Sequence, residues 1–206
     1  MRKIFIYGFA IMLICVNQAY ATSLTNGSFE LGLTGWTSTP FSGGEIITTG
    51  TQGTSDGALA ANFNGGNKLG GTLSQSFSTI IGAVYQLDFD YGVFVAPGHT
   101  ALNQSLQVEV LGTGILLTNT VTDLASNPTT FNSSSFSFTA DSLSTNLVFS
   151  DFTSLAGSFA VDSLLDNVSV TQTSAPATVP EPSTMLLLGT GLAGLVGWQY
   201  RKKQVK

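Results

Sequence analysis

Asp88 and Asp90 are the carboxylates best placed for acid–base chemistry. They stand in Tyr85-Gln86-Leu87-Asp88-Phe89-Asp90-Tyr91, where apolar and polar side chains alternate. On a strand that alternation puts both on one face with Cα atoms about 6.5–7 Å apart. Carboxylate pairs that cleave glycosidic bonds work at comparable separations. Any half-exposed strand alternates in the same way for packing reasons. His99 is the one histidine and falls in the loop Pro97-Gly98-His99-Thr100. No Ser-His-Asp set can be assembled around it. The one cysteine, Cys15, sits in the N-terminal apolar run. Beyond that run there is no thiol nucleophile, no disulfide and no cysteine metal site. The chemistry-bearing residues therefore point away from catalysis.

Recognition chemistry is no easier to name. Sugar sites stack rings on exposed aromatic faces beside a few polar groups. Trp36 follows Gly35, and Tyr85 and Tyr91 share a face with Leu87 and Phe89. All three read as core. Gly189-Thr190-Gly191-Leu192-Ala193-Gly194 fits a G-x-G-x-x-G pattern. A dinucleotide site needs a strand before it and an acidic residue about 20 positions later. Here an apolar segment surrounds it and the sequence stops first. Gly189, Ala193 and Gly197 recur every four residues, which suits close helix packing.

The elements that must carry these residues are strands. Tyr85–Tyr91, Leu106–Val110 and Phe136–Phe138 alternate, Leu147-Val148-Phe149 is apolar, and 159–171 extends the pattern. Asn64-Gly65-Gly66-Asn67, Pro97-Gly98 and Asn127-Pro128 mark turns between them. Many short strands with such punctuation predict an all-β sandwich or jelly roll. Between Thr22 and Thr178 Lys68 is the one basic residue against eleven acidic ones, a net charge of about −10. That charge repels nucleic acid and anionic membranes and invites cations.

Both ends read as targeting segments. Arg2 and Lys3, the apolar run Ile4–Val16 and Ala19-Tyr20-Ala21 make a secretory signal peptide over 1–21, cleaved after Ala21. One β domain over 22–173 follows, and 174–178 is a Ser/Ala/Thr/Pro linker. Pro180-Glu181-Pro182 then precedes an apolar stretch and a basic tail of Arg201, Lys202, Lys203 and Lys206. As a helix, 184–200 would be about 25 Å long, near the short limit for a bilayer core. The basic tail predicts a cytoplasmic C-terminus with the domain outside.

The segment 179–206 resembles the PEP-CTERM sorting signal of Gram-negative bacteria, with Pro180, Glu181 and Pro182 as its motif. The resemblance implies recognition by a membrane-embedded exosortase and cleavage near that motif. It also implies an exported chain, held in the inner membrane before processing and then at the cell surface or in an extracellular polysaccharide matrix. The domain resembles galactose-binding-like jelly rolls, the group that holds many carbohydrate-binding modules. Three blocks carry this: Asn26-Gly27-Ser28-Phe29-Glu30 with Gly35-Trp36; Gly71–Phe77 with Gly82 and Tyr85–Phe89; and Leu165–Val170. Asp56-Gly57 fits the turn before the third strand. In that group a structural calcium often staples the first strand to the last, and the matching carboxylates are Glu30 and Asp166. The resulting expectation is a non-enzymatic exported protein associated with exopolysaccharide. A lectin-like carbohydrate-binding module is the first alternative, and a polysaccharide hydrolase the second.

Overall fold

The computed structural model describes residues 24–41, 45–63, 71–151, 160–176 and 184–203. The chain separates into two compact units, Met1–Pro176 and Ala177–Lys206. The signal segment with Ala21, the turn 64–67, Lys68 and Pro180-Glu181-Pro182 lie outside the described residues.

The first unit is a sandwich of two five-stranded antiparallel sheets, the jelly-roll architecture expected. Its strands are β1 (Thr37–Thr39), β2 (Ile47–Thr49), β3 (Ala60–Asn62), β4 (Gly71–Ser78), β5 (Val84–Val95), β6 (Asn103–Leu111), β7 (Ile115–Leu124), β8 (Phe131–Thr139), β9 (Ser144–Asp151) and β10 (Val161–Ser174). One sheet, here sheet A, runs β1-β4-β9-β6-β7; the other, sheet B, runs β2-β3-β10-β5-β8. β7 is absent from the sequence expectation. Its outward Thr118, Thr120 and Thr122 face solvent at a sheet edge, so its apolar alternation is weak.

Alternation dictates the core. Leu73 and Phe77 of β4, Leu106, Val108 and Val110 of β6, and Leu147 and Phe149 of β9 face inward from sheet A. Tyr85, Leu87, Phe89, Tyr91 and Val93 of β5 meet them from sheet B, all buried as their shared face predicts. Each such side chain contributes roughly 1.5–3 kcal/mol on burial. Trp36 is core too: its ring lies 5.4 Å from Phe29 and 6.3 Å from Phe149, and its Nε1 donates to Asn26 O at 3.0 Å. Tyr85 and Tyr91 keep hydroxyl partners, Ile80 N at 2.9 Å and Ser163 Oγ at 3.1 Å. Burial pushes the Tyr91 phenol well above its ordinary range.

The second unit holds α1 (Thr184–Lys203), three residues longer than the 184–200 expected. Among the described residues no helix is long and apolar enough to cross a membrane. Glycines and Thr190 dilute the leucines of α1, and Gln199, Tyr200 and Arg201 end its apolar run. Gly189, Gly191 and Gly194 face open space.

Candidate functional site

The two outer faces of the sandwich hold most of the remaining polar side chains. On sheet B the outward positions are Gln86, Asp88, Asp90, Gly92 and Phe94 of β5, with Thr171, Ser169, Asp166, Leu164 and Asp162 respectively opposite them on β10. Asp162, Leu164, Asp166 and Asp90 are buried although they point away from the core. Residues 50–59, joining β2 to β3, reach the three aspartates: Gln52 bonds Asp162, Ser55 and Asp56 bond Asp166, and Ser55 bonds Asp90.

That segment is fastened by carboxylates. Asp166 Oδ2 accepts from Ser55 N at 2.8 Å and Asp56 N at 2.9 Å, and its Oδ1 from Asn167 N at 2.8 Å. Glu30 Oε1 accepts from Ala58 N at 2.7 Å and Leu59 N at 2.8 Å. The structure thus brings Glu30 and Asp166, distant in sequence, onto one turn. Local conformation makes this possible. Asn26 folds the preceding loop by donating to Gly32 O at 2.8 Å and accepting from Leu31 N at 3.0 Å. Phe29 then takes φ 58°, a rare angle for so bulky a residue, with its ring fully buried. Gly57 also has positive φ, and a Cβ there would sit 2.4 Å from Glu30 Oε1, so the carboxylate needs a glycine beneath it.

Asp90 lies directly across from Asp166 in the ladder. A bulge after Asp166 leaves Asn167 at φ 50°, and its side chain reaches Asp90 Oδ2 at 3.1 Å. Ser133 Oγ donates to Asp90 Oδ1 at 2.6 Å, and Ser135 donates to Asp88. The pair Asp88 and Asp90 does share one face, and each carboxylate is engaged by neighbouring strand β8. Burial acts to raise the Asp90 pKa, but Ser133, Asn167 and Ser55 outweigh it and hold the group below its usual range. Burial wins at Asp166 and raises its pKa despite the main-chain donors. It wins again at Asp162, which Asn62 and Gln52 hydrogen-bond.

Glu30 and Asp166 supply hard oxygen donors of the kind calcium takes. Five main-chain N–H groups already converge on them. Among the described residues no group of three or more histidine, cysteine or acidic side chains could hold a metal. A calcium here would therefore draw most of its shell from carbonyl oxygens. His99 is exposed in its loop, its N–H donating to Ala96 O at 3.1 Å.

Sheet A presents a different outer face. Register aligns Thr37, Ser74, Val148, Glu109 and Thr118 in one row, and Thr39, Thr72, Ser150, Gln107 and Thr120 in the next. At one edge a pocket of about 220 Å³ is lined by Thr39, Pro40, Phe41, Gly71, Thr72, Ser150 and Asp151. Phe41 is 57% exposed, and Ser150 is buried at the pocket although it faces outward. Gly71 has φ 100°, and a Cβ there would meet Thr39 O at 2.2 Å, so only glycine lets β4 start beneath the Phe41 segment. An exposed ring beside hydroxyls is the arrangement that the sequence reading did not find. Phe41 follows a Pro in a polar loop, and no periodicity marks it.

Comparison with known proteins bears on both units. Residues 178–202 match the PEP-CTERM protein-sorting motif. A comparison with curated proteins found no match. Among solved structures the domain is similar to one described as "CBM4 structure and function", at 14% identity and TM-score 0.50, over 73% of this chain and all of that one. It is similar to TmCBM61 in complex with beta-1,4-galactotriose, at 15% identity and TM-score 0.52, over 76% of this chain and 99% of that one. A third is the CBM22-1-CBM22-2 tandem domain of Paenibacillus barcinonensis Xyn10C, at 17% identity and TM-score 0.50, over 82% of this chain and 49% of that one. At such identities the likeness establishes the jelly-roll fold, which agrees with the galactose-binding-like resemblance.

Proposed function

We propose that this chain, with its PEP-CTERM protein-sorting motif, is an exported, exosortase-sorted protein that works outside the cell without catalysing a reaction. The motif over 178–202 carries the reading. In this reading the signal peptide directs export and the sorting segment keeps the precursor at the membrane until it is processed, although α1 by itself is not long and apolar enough to cross a bilayer. Exosortase then releases the domain to the surface or to an exopolysaccharide matrix. The acidic domain suits a hydrated matrix and disfavours nucleic acid. Asp88 and Asp90 act here as ladder carboxylates held by Ser135 and Ser133. Mass spectrometry of the protein recovered from the cell surface tests the reading. The expected product lacks Arg201–Lys206, and Pro180→Ala with Glu181→Ala and Pro182→Ala retains them. An intact C-terminus in the final location would leave a plain anchor instead.

Carbohydrate binding is the second reading, and the Phe41 pocket favours it. Phe41 offers a stacking face over a mostly apolar pocket, with Thr39 and Thr72 at its rim for ring hydroxyls. The fold likeness to CBM structures supports the same class. A glycan array separates this reading from a matrix protein that binds no sugar. A structural calcium bound by Glu30 and Asp166 belongs to the proposal as well, as a fastening of the 50–59 turn.

A further inference from the structure

Two of the four sheet edges are long, and they lie on the same side of the sandwich. β1 and β2 end the sheets on the other side with three residues each, whereas β7 and β8 have ten and nine. Residues 125–130 join β7 to β8, and Asn132 Nδ2 donates to Asp123 Oδ2 at 2.9 Å between the two sheets. A free edge is a row of unpaired N–H and C=O groups, which proteins usually guard with lysine, proline or a bulge. β7 and β8 contain no lysine, arginine or proline, and their one charged residue is Asp123. The ladder with β6 slips once, at Leu116, and leaves Leu117–Leu124 regular; β8 pairs with β5 without a slip. Among the described residues no strand pairs with either free edge.

The two edges share a centre. The Asp123–Asn132 contact marks one common level on them. Thr120 stands three residues before Asp123, and Ser135 three residues after Asn132. The strands run in opposite directions, so both steps lead away from the contact by about 10 Å on the same side. Register turns Thr120 and Ser135 outward, each on its own sheet. A two-fold axis normal to the sheets therefore passes beside both. It sets Thr120 opposite itself, Thr118 opposite Thr122, and Ser133 opposite Ser137 of a second copy. Threonine and serine pairs are favourable cross-strand neighbours. Leu117, Val121 and Phe136, half-buried on this side of the core, gain cover in the same step.

We propose that two copies of this chain join by their β7 and β8 edges about that axis, continuing both sheets. The contact runs about 30 Å along the strands and about 20 Å through two sheets with their outer side chains, on the order of 600 Å² per copy. Its total of about 1,200 Å² reaches the lower bound of specific interfaces. Two-fold closure also occupies the edges that would otherwise recruit further copies. The domain charge of about −10 opposes association, yet these edges carry little of it, so the dimer should tighten as salt rises. Thr39 and Phe41 belong to the far edge of sheet A. On the carbohydrate reading above, the dimer therefore holds two such pockets on its outer rims and gains avidity for a polymer.

Disulfide trapping tests this in the full-length chain, with Cys15→Ser removing its one cysteine and dissolved oxygen as the oxidant. Thr120→Cys should give mostly covalent dimer, because opposed residues have Cα atoms about 4.5–5.5 Å apart, within disulfide reach. Ser135→Cys should do the same on the other sheet. Thr118→Cys faces Thr122 rather than itself, so alone it should link at the background rate of Thr37→Cys, an exposed position on β1. Mixing it with Thr122→Cys protein should restore linking. Thr120→Glu sets like charges opposite each other at an exposed position and should slow Ser135→Cys linking roughly fivefold, with the β-sheet circular dichroism unchanged. Thr120→Cys no faster than Thr37→Cys overturns the inference, and so does Thr118→Cys alone matching Thr120→Cys. Ser135→Cys at the background rate overturns the joining of both sheets. Sedimentation that shows a ladder of larger oligomers assigns β7 to the β8 of the next copy and overturns the two-fold.

Discussion

The two outer faces of the sandwich use polar side chains in opposite ways. Sheet B directs Asp90, Asp162 and Asp166 outward, buries them and bonds all three to residues 50–59. Each is surrounded by donors: main-chain N–H groups at Asp166, Ser133 and Asn167 at Asp90, Asn62 and Gln52 at Asp162. Sheet A directs Thr72, Ser74, Gln107, Glu109 and the threonines of β7 outward and leaves them half-buried or exposed. Buried polar groups are expensive to leave unpaired, so sheet B's carboxylates are committed to the fold. On sheet A the wall of the Phe41 pocket is mostly apolar, with Ser150 buried in it and the threonines Thr39 and Thr72 keeping some exposure at its rim.

The sharpest way to break this contrast is to cut a carboxylate from sheet B. Asp166→Ala strands the N–H groups of Ser55, Asp56 and Asn167 and should destabilise the domain by about 3 kcal/mol or more. For a domain of this size that lowers Tm by roughly 6–12 °C. Ser74→Ala on sheet A should move stability by no more than about 0.5 kcal/mol. Denaturant melts of the two variants decide the matter, and equal losses would dissolve the distinction between the faces.

Calcium sharpens the same comparison. If an ion joins Glu30 and Asp166, Tm in calcium should exceed Tm in chelator by several degrees, since about 2.7 kcal/mol follows from a hundredfold excess over Kd. Asp166→Ala should abolish the difference. Asp141→Ala, which loses hydrogen bonds from Thr113 and Gly114 at the turn end, should keep it. Equal melting in calcium and chelator, with no metal by elemental analysis, would leave the five N–H groups as the whole fastening.

A smaller effect follows from pH. Asp162 and Asp166 have folded pKa values raised above 3.8 by burial. Their stabilising contribution is present below the unfolded value and is lost as pH rises through the folded one. Asp90 and Asp141 are lowered, Asp90 by side-chain donors that outweigh burial and Asp141 chiefly by Thr113. Their contribution is present above 3.8 and is lost as pH falls through the folded values. In calcium-free buffer the domain should therefore melt higher at mildly acidic pH than at neutral pH, then weaken in stronger acid. Asp162→Asn should flatten the acidic rise. A Tm that falls steadily from pH 7 downward would contradict the burial of these two groups.

Legibility in the sequence followed periodicity. Period-two patterns revealed β5, β6 and β8, and so the core face of Tyr85, Leu87, Phe89 and Tyr91; Leu147–Phe149 and 159–171 pointed to β9 and β10, and β4 was legible through the resemblance of Gly71–Phe77. Short strands such as β1 and β2, three residues each, carry too few residues to show a period. Glu30, Asp166 and the Asp56-Gly57 turn were legible through the resemblance of their blocks, although not that both carboxylates fasten that turn. The network of Gln52, Asn62 and Asp162 was invisible because it joins residues about 100 positions apart through side chains that alternation treats as solvent-facing. Asp162 reads as an outward residue, and it is one; its bond to the 50–59 segment is one that no local pattern announces. Phe41 was missed for the converse reason. An exposed aromatic is set by where a loop is carried, and Gly71 with its close approach to Thr39 carries it.

Phe41 gives the smallest expected effect on stability and the most direct one on recognition. Its ring is more than half exposed, so Phe41→Ala removes little buried surface and should change unfolding free energy by about 0.5 kcal/mol or less. If the sheet A edge binds a sugar, the same substitution removes its stacking platform, and a lost aromatic contact of this kind weakens binding by about 1 kcal/mol or more, roughly fivefold. Thr72→Val tests the neighbouring hydroxyl at nearly constant shape. Retention on extracellular polysaccharide, measured by affinity electrophoresis with wild type and the Phe41 variant side by side, reads this out. Asp88→Asn on the opposite face is the control and should leave retention unchanged. Wild-type retention that survives Phe41→Ala but is lost in Asp88→Asn would reverse the assignment of roles, making the carboxylate face the binding face. No retention of the wild type on any polysaccharide or glycan array would remove the lectin-like reading and leave a sorted matrix protein whose sheet A hydroxyls serve hydration alone.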